Sequence, residues 1–428
     1  MIIVIGGGPA GFFAATAARE ANPDKPVVIL EKQDRVLRKV AISGGGRCNL
    51  THYCENAREL ATHYPRGGRE LIGPFTHWGV ADTIDWFAGR GVRLKTEPDG
   101  RMFPESNSSA TIVDCLGSTA RVAGIDVLTR HPVAGIVRRK SGGFLVELAD
   151  GTSLECDQVL IATGGRTESP VENRSVDGYT LARSLGHDLI QPVPSLFTFK
   201  VEDSRWTEMA GLAVENAKIR AVGPDLPAKG FSAEGPLLLT HWGLSGPAVL
   251  KLSAIGARRF HEIGYRFELG IDWLPDRKQP AIEADLQDWA HRNGKKSMIS
   301  GGPENLPRRL WQALLQVAGI PENSKWAELS RKHRNLLGGL LKNTTMPITG
   351  KATNKEEFVT CGGVPLSEVD LRTMASRVCP GLFLAGEVLD IDGLTGGFNF
   401  QAAWTTGRLA GIAMAGLGIP ADDEGDPS

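Results

Sequence analysis

The chain has 428 residues and a formal net charge of −1, with 41% hydrophobic and 23% charged residues, a composition typical of a globular protein that buries a large core. At about 150 residues per domain, this length predicts two or three domains. The sequence has no run of about eighteen apolar residues and no basic stretch before its apolar start, which argues against a membrane span and a signal peptide. Six scattered cysteines without a CxxC pair argue against a zinc site and a disulfide framework, so we expect a cytoplasmic setting and no metal.

The N-terminal region has the pattern of a βαβ unit. Residues 2–5 and 27–30 are predicted as buried strands and residues 11–21 as a helix. Between the first strand and the helix lies Gly6-Gly7-Gly8-Pro9-Ala10-Gly11, a GxGxxG motif whose glycines allow a tight turn, close approach of a pyrophosphate and close helix packing. Glu31 ends the second strand, where an acidic side chain can bind a ribose. This unit predicts a dinucleotide but does not distinguish FAD from NAD.

A second glycine-rich segment follows, Ser43-Gly44-Gly45-Gly46-Arg47-Cys48-Asn49. Consecutive glycines let the backbone lie against a planar ligand and offer it amides. Arg47 and Asn49 add donors suited to phosphate or ring carbonyls. Cys48 is either a redox thiol or a non-catalytic residue, and the lack of a second nearby cysteine favours the latter.

The pattern of predicted strands and helices changes at about residue 192. Before it, residues 144–148 and 159–162 are predicted as strands and 178–185 as a helix, and the strand at 159–162 runs into Thr163-Gly164-Gly165, which can approach a cofactor. After it, residues 197–201, 217–221, 236–239 and 266–271 are predicted as strands of a small barrel or sandwich. Residues 285–339 are predicted to be mostly helical.

A last glycine-rich segment, residues 386–401, joins a predicted strand at 381–385 to a predicted helix at 399–417. Glu387 can bind sugar-like hydroxyls. Gly396 and Gly397 open the helix, whose N-terminal amides can stabilise negative charge on a bound ring. Because a flavin gains such charge at its N1–C2 edge on reduction, this segment favours FAD over NAD.

These motifs resemble the BaiN/RdsA-type flavoproteins, which include aminoacetone-oxidase-like proteins. The resemblance spans nearly the whole chain and rests on residues 6–11, 43–51, 240–247, 360–364 and 386–401. His52 and Phe398 depart from the asparagine and tyrosine that the family often has there. The resemblance implies an α/β fold, with a Rossmann-like, two-dinucleotide-binding-type FAD domain, an inserted β-rich, barrel-like domain and a small helical subdomain. It also implies that adenine contacts the backbone near Val133.

The domain boundaries and the cofactor site follow from these motifs. We expect an FAD-binding domain at 1–191 and 351–420, a β-rich insertion at 192–275, a basic helical part at 276–350 and a disordered tail at 421–428. The predicted cofactor-binding residues are Gly6, Gly8, Pro9, Ala10, Gly11, Glu31, Lys32, Lys39, Ser43, Gly44, Gly45, Arg47, Cys48, Asn49, Val133, Ala162, Thr163, Gly164, Gly386, Glu387, Asp392, Gly396, Gly397, Phe398 and Asn399.

Candidate residues for chemistry and for a partner lie in the insertion. His241, in a Thr-His-Trp-Gly loop, is either a general acid or base or a structural residue. Residues 291–355 contain twelve basic and three acidic residues, a net charge of +9 against −10 for the rest of the chain. This segment is either a polyanion-binding surface, on which Trp311 and Trp326 stack on bases, or a solvated helical surface.

The sequence therefore predicts an FAD-dependent oxidoreductase that transfers hydride through flavin N5. Activities of the resembled family imply reduction of a C=C bond, in a steroid-type substrate or in a uridine of RNA, or oxidation of small amines. NAD(P)H is a candidate transient reductant, although the chain has no second strand–GxGxxG–helix unit to bind it. A flavin-bearing RNA- or protein-binding module with structural FAD is the alternative from a different class.

Overall fold

The computed structural model describes residues 1–166, 177–227, 229–302, 306–352 and 359–417. The chain divides into two compact units, of which the first comprises Met1–Val193 and Val359–Ser428 and the second Pro194–Phe358. The predicted tail at 421–428 lies outside the described residues. None of the helices in those residues is long and apolar enough to cross a membrane.

The N-terminal part of the first unit alternates strands and helices. Its strands are β1 (Ile2–Ile5), β2 (Val27–Glu31), β3 (Thr51–His52), β4 (Leu94–Thr96), β5 (Arg101–Pro104), β6 (Asp126–Thr129), β7 (Val133–Arg138), β8 (Phe144–Leu148), β9 (Ser153–Cys156), β10 (Gln158–Ile161) and β11 (Ile190–Ser195). Its helices are α1 (Pro9–Ala21), α2 (Arg38–Gly46), α3 (Ala57–Ala61), α4 (Gly68–His77), α5 (Val80–Ala88), α6 (Ala110–Val122) and α7 (Gly178–Ser184).

The second unit combines a sheet with six helices among its described residues. Its strands are β12 (Phe199–Lys200), β13 (Ala213–Val222), β14 (Phe231–Thr240), β15 (Gly243–Ser245), β16 (Phe267–Asp272), β17 (Thr344–Ile348) and β18 (Gly350–Lys351). Its helices are α8 (Ser204–Thr207), α9 (Pro247–Ile255), α10 (Ala257–Glu262), α11 (Gln279–Asn293), α12 (Arg308–Val317) and α13 (Arg331–Lys342). The chain then returns to the first unit with β19 (Val359–Gly363), β20 (Val369–Asp370), β21 (Ala375–Ser376), β22 (Leu382–Leu384) and α14 (Phe398–Met414).

The first unit is built on a seven-stranded sheet in the order β20-β21-β22-β10-β1-β2-β6. The five strands from β22 to β6 are parallel, with Ile3 of β1 paired to Val28 on one side and Val159 on the other. All four residues of β1 are buried, as expected for a parallel strand covered on both faces. The chain leaves β1 towards β2 on one side, and β10 lies on the other, so a crevice is expected at the carboxyl ends of these strands.

Helices α1 and α14 pack closely because glycines face the backbone of α1. A Cβ added at Gly407 would lie 2.5 Å from the Ala10 carbonyl oxygen, and one at Gly411 would lie 2.2 Å from that of Ala14. Gly407 faces Ala10, and Gly411, one turn later, faces Ala14. Because both numbers rise together, the two helices run in the same direction. Since α1 starts at the carboxyl end of β1, both helices start on that side of the sheet.

The second unit holds an antiparallel sheet in the order β17-β16-β13-β14-β15-β12-β18. Its core contains Phe260 and Phe267, stacked 4.4 Å apart between ring centroids. The part of the chain predicted to be helical, 276–350, contains α11, α12 and α13 but ends in β17 and the first residue of β18. Alternating buried and exposed residues along Thr344–Ile348 fit a strand with one covered face.

The structure also corrects two local predictions. Helix α1 begins at Pro9 rather than Gly11, because a proline is well suited to the first turn of a helix. The segment between residues 50 and 131, for which the sequence analysis predicted no elements, contains four helices from α3 to α6.

Candidate cofactor site

The N-terminal turn contains glycines that serve two different purposes. Gly6 has φ +114°, and a Cβ there would lie 2.4 Å from the Ala162 carbonyl oxygen. At Gly11, a Cβ would lie 2.1 Å from the Gly6 carbonyl oxygen. Both positions are therefore restricted to glycine by the protein's own packing. Among the described residues, the only atom within 4.0 Å of a Cβ added at Gly8 is the Ala162 oxygen, at that limit, so packing of the described residues does not explain this glycine.

Glu31 is held at the end of β2 by backbone amides. Its Oε2 accepts from the Gly7 N–H at 2.9 Å and its Oε1 from the Gln33 N–H at 2.8 Å. The Glu31 carbonyl also accepts from the His131 N–H at 2.9 Å, which brings the start of β7 at Val133 alongside the end of β2. Lys32 is exposed. The predicted ribose and adenine positions therefore belong to one local structure.

The segment after β10 lies beside the first turn. The Ala162 N–H donates to the Ile5 carbonyl at 2.8 Å, and Thr163 follows it. Gly164 has φ +76°, and no atom of the described residues lies within 4 Å of an added Cβ. Like Gly8, it leaves room beside the backbone at the carboxyl edge of the sheet.

The second glycine-rich segment ends α2 in an irregular turn. Ser43, Gly44 and Gly45 have non-helical backbone angles, and an added Cβ would meet no atom within 4 Å at Gly45 or Gly46. Cys48 closes the turn with an N–H bond to the Ser43 carbonyl at 3.0 Å. Because burial raises the pKa of the Cys48 thiol to about 12, this side chain is a neutral thiol near neutral pH and not an activated nucleophile.

Arg47 is engaged within the first unit. Its guanidinium lies 4.0 Å from the Phe103 ring centroid, and its Nη1 donates to Glu97 at 2.7 Å. An arginine held between a ring and a carboxylate has a fixed orientation. This arrangement was not foreseen, because Glu97 and Phe103 lie in the part of the chain for which no elements were predicted.

The segment after β22 returns to the same edge of the sheet. Gly386 has φ +75°, and its N–H donates to the Thr406 hydroxyl of α14 at 2.9 Å. Glu387 accepts from the Thr360 N–H at 2.7 Å and forms an ion pair with Lys39 at 2.6 Å. Two predicted site residues separated by 348 positions in the chain are thus in direct contact.

The loop that precedes α14 is closed by its own polar side chains. Asp392 is fully buried and forms an ion pair with Arg66, so its carboxylate has a protein partner. Asn399 accepts from the Gly393 N–H at 2.8 Å and donates to the Gly393 carbonyl at 2.9 Å. These contacts fix the path of the loop into Gly396 and Gly397.

Several hydrogen bonds join the start of α14 to the end of the second glycine-rich segment, residues 43–49, and to the residues that follow it. With its amide oxygen facing Gly397, Asn49 accepts from the Gly397 N–H at 3.1 Å. Thr51 donates to Gln401 at 2.7 Å, and the Trp404 indole donates to the Leu50 carbonyl at 3.0 Å. The Tyr64 hydroxyl donates to the carbonyl of Phe398 at 2.6 Å. The two glycine-rich segments therefore form one rigid structure.

The two helix starts are offset along their common direction. Nine residues separate the start of α14 from Gly407, whereas one residue separates the start of α1 from Ala10, its contact. At 1.5 Å per residue, the start of α14 projects roughly 12 Å beyond that of α1. Both starts present unpaired N–H groups and the positive end of a helix dipole. FAD has a pyrophosphate at one point and, beyond a ribityl chain, a ring that becomes negative on reduction, so the arrangement fits this cofactor.

Some residues that shape this region were not predicted, namely Arg66, Tyr64 and Gln401. Glutamine or tyrosine alone carries no pattern that signals such a role, and each acts through a partner distant in the chain. His241, in contrast to all other predicted site residues, belongs to the second unit, where it occupies the exposed tip of the β14–β15 hairpin. Across the described ranges, no group of three His, Cys, Asp or Glu side chains is placed to hold a metal.

The structure corrects one prediction for the basic segment. Trp311 and Trp326 are 2% and 1% exposed, and their rings stack on each other at 5.9 Å in the core. They cannot stack on nucleic-acid bases. Lys342 is also engaged, in an ion pair with Asp272 at 2.6 Å. Lys355 lies outside the described residues.

Comparisons with known proteins place the whole chain. A family model described as "HI0933-like protein Rossmann domain" matches residues 1–413. A 3-dehydro-bile acid delta(4,6)-reductase of Clostridium scindens is 30% identical over 412 residues, which cover 96% of this chain and 98% of that protein. A ribosomal RNA dihydrouridine synthase of Escherichia coli is 30% identical over 407 residues, 94% of this chain and 95% of the synthase.

Solved structures share the fold. A 3-ketosteroid-delta4-(5alpha)-dehydrogenase from Rhodococcus jostii RHA1 matches with a TM-score of 0.50 at 16% identity, over 97% of this chain and 96% of the dehydrogenase. A 3-ketosteroid delta1-dehydrogenase from Sterolibacterium denitrificans matches with a TM-score of 0.51 at 12% identity, over 97% and 99% of the two chains. These comparisons confirm the predicted Rossmann-type α/β architecture and the predicted class of FAD-dependent oxidoreductase. The chain belongs to the HI0933-like Rossmann family.

Proposed function

We propose that FAD binds in an extended form across the carboxyl edge of the first unit's sheet. Its pyrophosphate would lie at the start of α1 over Gly8, its ribose at Glu31 and its adenine near Val133. Its isoalloxazine ring would lie between the second glycine-rich segment, residues 43–49, and the start of α14. The observation that carries this assignment is the pair of parallel helix starts, offset by roughly the length that the cofactor needs.

Bound FAD supplies the hydride transfer, and the residues of the chain supply binding and electrostatics. Backbone amides after Gly396 and Gly397 would stabilise negative charge on the ring. The Lys39–Glu387 pair would orient groups along the ribityl chain. Asp392, although predicted as a cofactor ligand, would act on the loop through Arg66, because its carboxylate is fully buried in that ion pair.

The proposed reaction is reduction of a C=C bond with NAD(P)H as the electron donor. Its support is that a delta(4,6)-reductase and a dihydrouridine synthase, the two relatives described above, have saturation of a carbon–carbon double bond in common. Oxidation of small amines and a purely structural FAD are less well supported, since neither relative's name describes them. A cytoplasmic location belongs to the same proposal.

The basic segment supports RNA as the substrate-bearing partner. Residues 294–298 and 324–327 pair as a short antiparallel ladder, with the Trp326 N–H donating to the Lys296 carbonyl at 3.0 Å. Helices α11 and α13 are antiparallel, because Arg334 bonds Gln287 and a Cβ on Gly338 would meet Glu283. The end of α11, the ladder and the start of α13 therefore adjoin one another.

Exposed cations collect at this junction. We call them the basic face, which comprises Arg292, Lys295, Lys296, Lys325, Arg331 and Lys332, all exposed. Two acids contact this face, namely Asp288, 3.9 Å from Arg292, and Glu328, whose carboxylate accepts from the Lys325 N–H. Six positive charges against two negative ones favour a phosphate backbone. Because Trp311 and Trp326 are buried, the face would bind RNA through phosphates without reading its sequence.

The reaction is tested by anaerobic addition of NADPH or NADH to the purified yellow protein. Bleaching of the flavin, followed by recovery on addition of a steroid enone or unmodified ribosomal RNA, supports a reductase. Recovery with molecular oxygen alone, together with bleaching by small amines, would favour amine oxidation. No bleaching by either nucleotide would remove NAD(P)H from the proposal.

The basic face is tested by reversing three of its charges in K295E/K296E/K325E. The matched control is K218E/R220E/K229E, which changes the same charge at exposed positions of the same unit. Binding of ribosomal RNA should weaken more than tenfold in the first variant only. The wild-type slope of log affinity against log salt should reach about −4 if all six cations contact phosphates. Equal binding of ribosomal RNA by both variants would contradict the assignment of the basic face as an RNA-binding surface.

A further inference from the structure

Two histidines pack against the ring of Phe398, the first residue of α14, with their own ring centroids 5.8 Å apart. The His52 ring centroid lies 4.6 Å from that of Phe398 at an interplanar angle of 27°, and the His63 centroid lies 4.3 Å from it at 41°. Both histidines are half-buried. Two imidazoles, each able to carry a proton, thus lie at a helix start whose role in the proposed site is to stabilise negative charge.

His52 contacts the loop that precedes α14. Its Nδ1 lies 3.2 Å from the Gly396 carbonyl oxygen, and a Cβ on Gly396 would lie 3.3 Å from the same nitrogen. The residue before it, Thr51, contacts Gly397 and donates to Gln401. His52 is therefore held directly against the two glycines that open the helix.

The charged groups around His52 come from three elements. Arg101 of β5 pairs with it in the β3–β5 ladder. Arg101 is itself bonded to Glu97 at 2.9 Å and to Asp99 at 2.7 Å. His63 also faces His52, with 5.8 Å between the two ring centroids, and its backbone carbonyl accepts from the Leu394 N–H at 2.8 Å. A proton on His52 therefore adds a charge to a cluster in which Arg101 is already paired with carboxylates.

We propose that His52 is a positioning residue that binds a compensating proton when the FAD of this enzyme is reduced. This inference rests on the proposed location of the ring at the start of α14. Reduction by hydride brings two electrons and one proton to the cofactor and leaves negative charge at its N1–C2 edge. An imidazolium beside Gly396 stabilises that charge, so His52 takes up a second proton from solvent in a pH window around its own titration.

The experiment is a redox titration of the holoprotein, followed by flavin absorbance between pH 5.5 and 9. One proton per two electrons gives a slope of about 30 mV per pH unit, and two protons double it. The wild-type protein should show the doubled slope over part of this range, whereas H52N should keep the single slope throughout. H63N should retain the steep window. Equal slopes in wild type and H52N, or loss of the window in H63N alone, would overturn the assignment to His52.

A second measurement covers the case in which H52N loses its cofactor. The imidazole signals of wild-type protein are titrated by NMR in the oxidised and the reduced state, and the His52 signal is identified as the one absent from H52N. A higher imidazole pKa in the reduced state supports the proposal, and an unchanged one contradicts it. A wild-type protein that binds no FAD would instead refute the proposed cofactor site, so the two failures are distinct.

Discussion

The two turns that open α1 and α14 are made rigid in different ways. The first turn is shaped by the backbone itself, because Gly6 and Gly11 leave no space for a Cβ against neighbouring carbonyl oxygens. The second turn, which opens α14 at Gly396 and Gly397, is held by side chains such as Asn49, Tyr64 and Gln401. A turn of the first kind is disrupted by a single substitution at either Gly6 or Gly11. A turn of the second kind distributes its stability over several bonds and loosens by degrees.

The largest effect is expected for Gly11→Val in the first turn. A Cβ at this position would lie 2.1 Å from the Gly6 carbonyl oxygen, so the backbone must shift. We expect the free energy of unfolding to fall by more than about 3 kcal/mol, or folded protein to be lost. Denaturant unfolding of the apoprotein measures this. Gly117→Val is the control, because an added Cβ meets no atom within 4 Å there. Similar stability of the two variants would contradict the steric account.

A smaller effect is expected for Gln401→Leu in the second turn. This fully buried amide forms hydrogen bonds with the side chains of Thr51, Thr83 and Thr405. Leucine would remove all three bonds. The free energy of unfolding should fall by about 2–4 kcal/mol, with weaker FAD binding by the folded fraction. Gln316→Leu, at an exposed position, should change stability by less than about 0.5 kcal/mol. Unchanged stability of Gln401→Leu would show that these bonds do not hold the turn.

Tyr64→Phe should loosen the second turn still less. It removes the hydrogen bond from the hydroxyl to the Phe398 carbonyl and leaves the buried ring in place. A loss of about 1 kcal/mol is expected. Tyr53→Phe is the matched control, since Tyr53 is 53% exposed and its hydroxyl bonds only the neighbouring Glu55 among the contacts identified. If Tyr53→Phe lowers the free energy of unfolding as much as Tyr64→Phe does, the loss cannot be assigned to the Tyr64–Phe398 hydrogen bond.

The smallest effect at neutral pH concerns Cys48. Burial raises its pKa from 9.0 to about 12, so the folded chain retains a proton that the unfolded chain releases. The resulting stability is complete below pH 9 and is lost as the pH rises towards 12. Cys48→Ala should therefore lose less stability than wild type between these pH values. Alkylation of native Cys48 at pH 7.5 should be at least about a thousandfold slower than in the unfolded chain. Rapid labelling of the native thiol would contradict its burial.

The contrast between the two turns also explains what the sequence could predict. Gly6, Gly8, Gly11 and Glu31 lie within one βαβ unit, where fixed spacing relates each residue to its role. The role of Arg66 depends on Asp392, 326 positions away, and that of Trp404 on Leu50, which no local pattern reveals. The basic segment was recognised by its charge. Its tryptophans were misassigned, because composition does not indicate which side of a helix or ladder faces the core.

A substitution at Gly8 tests whether FAD is held between the starts of α1 and α14. No contact within the part of the chain that the structure describes requires glycine there, so Gly8→Val should fold with nearly the stability of wild-type apoprotein. A valine side chain at the start of α1 would nevertheless occupy the space assigned to the pyrophosphate. The measurement is the molar ratio of FAD to protein after purification, with Gly117→Val as the control. We expect a folded, colourless Gly8→Val and a yellow control. Full flavin content in a folded Gly8→Val would contradict it.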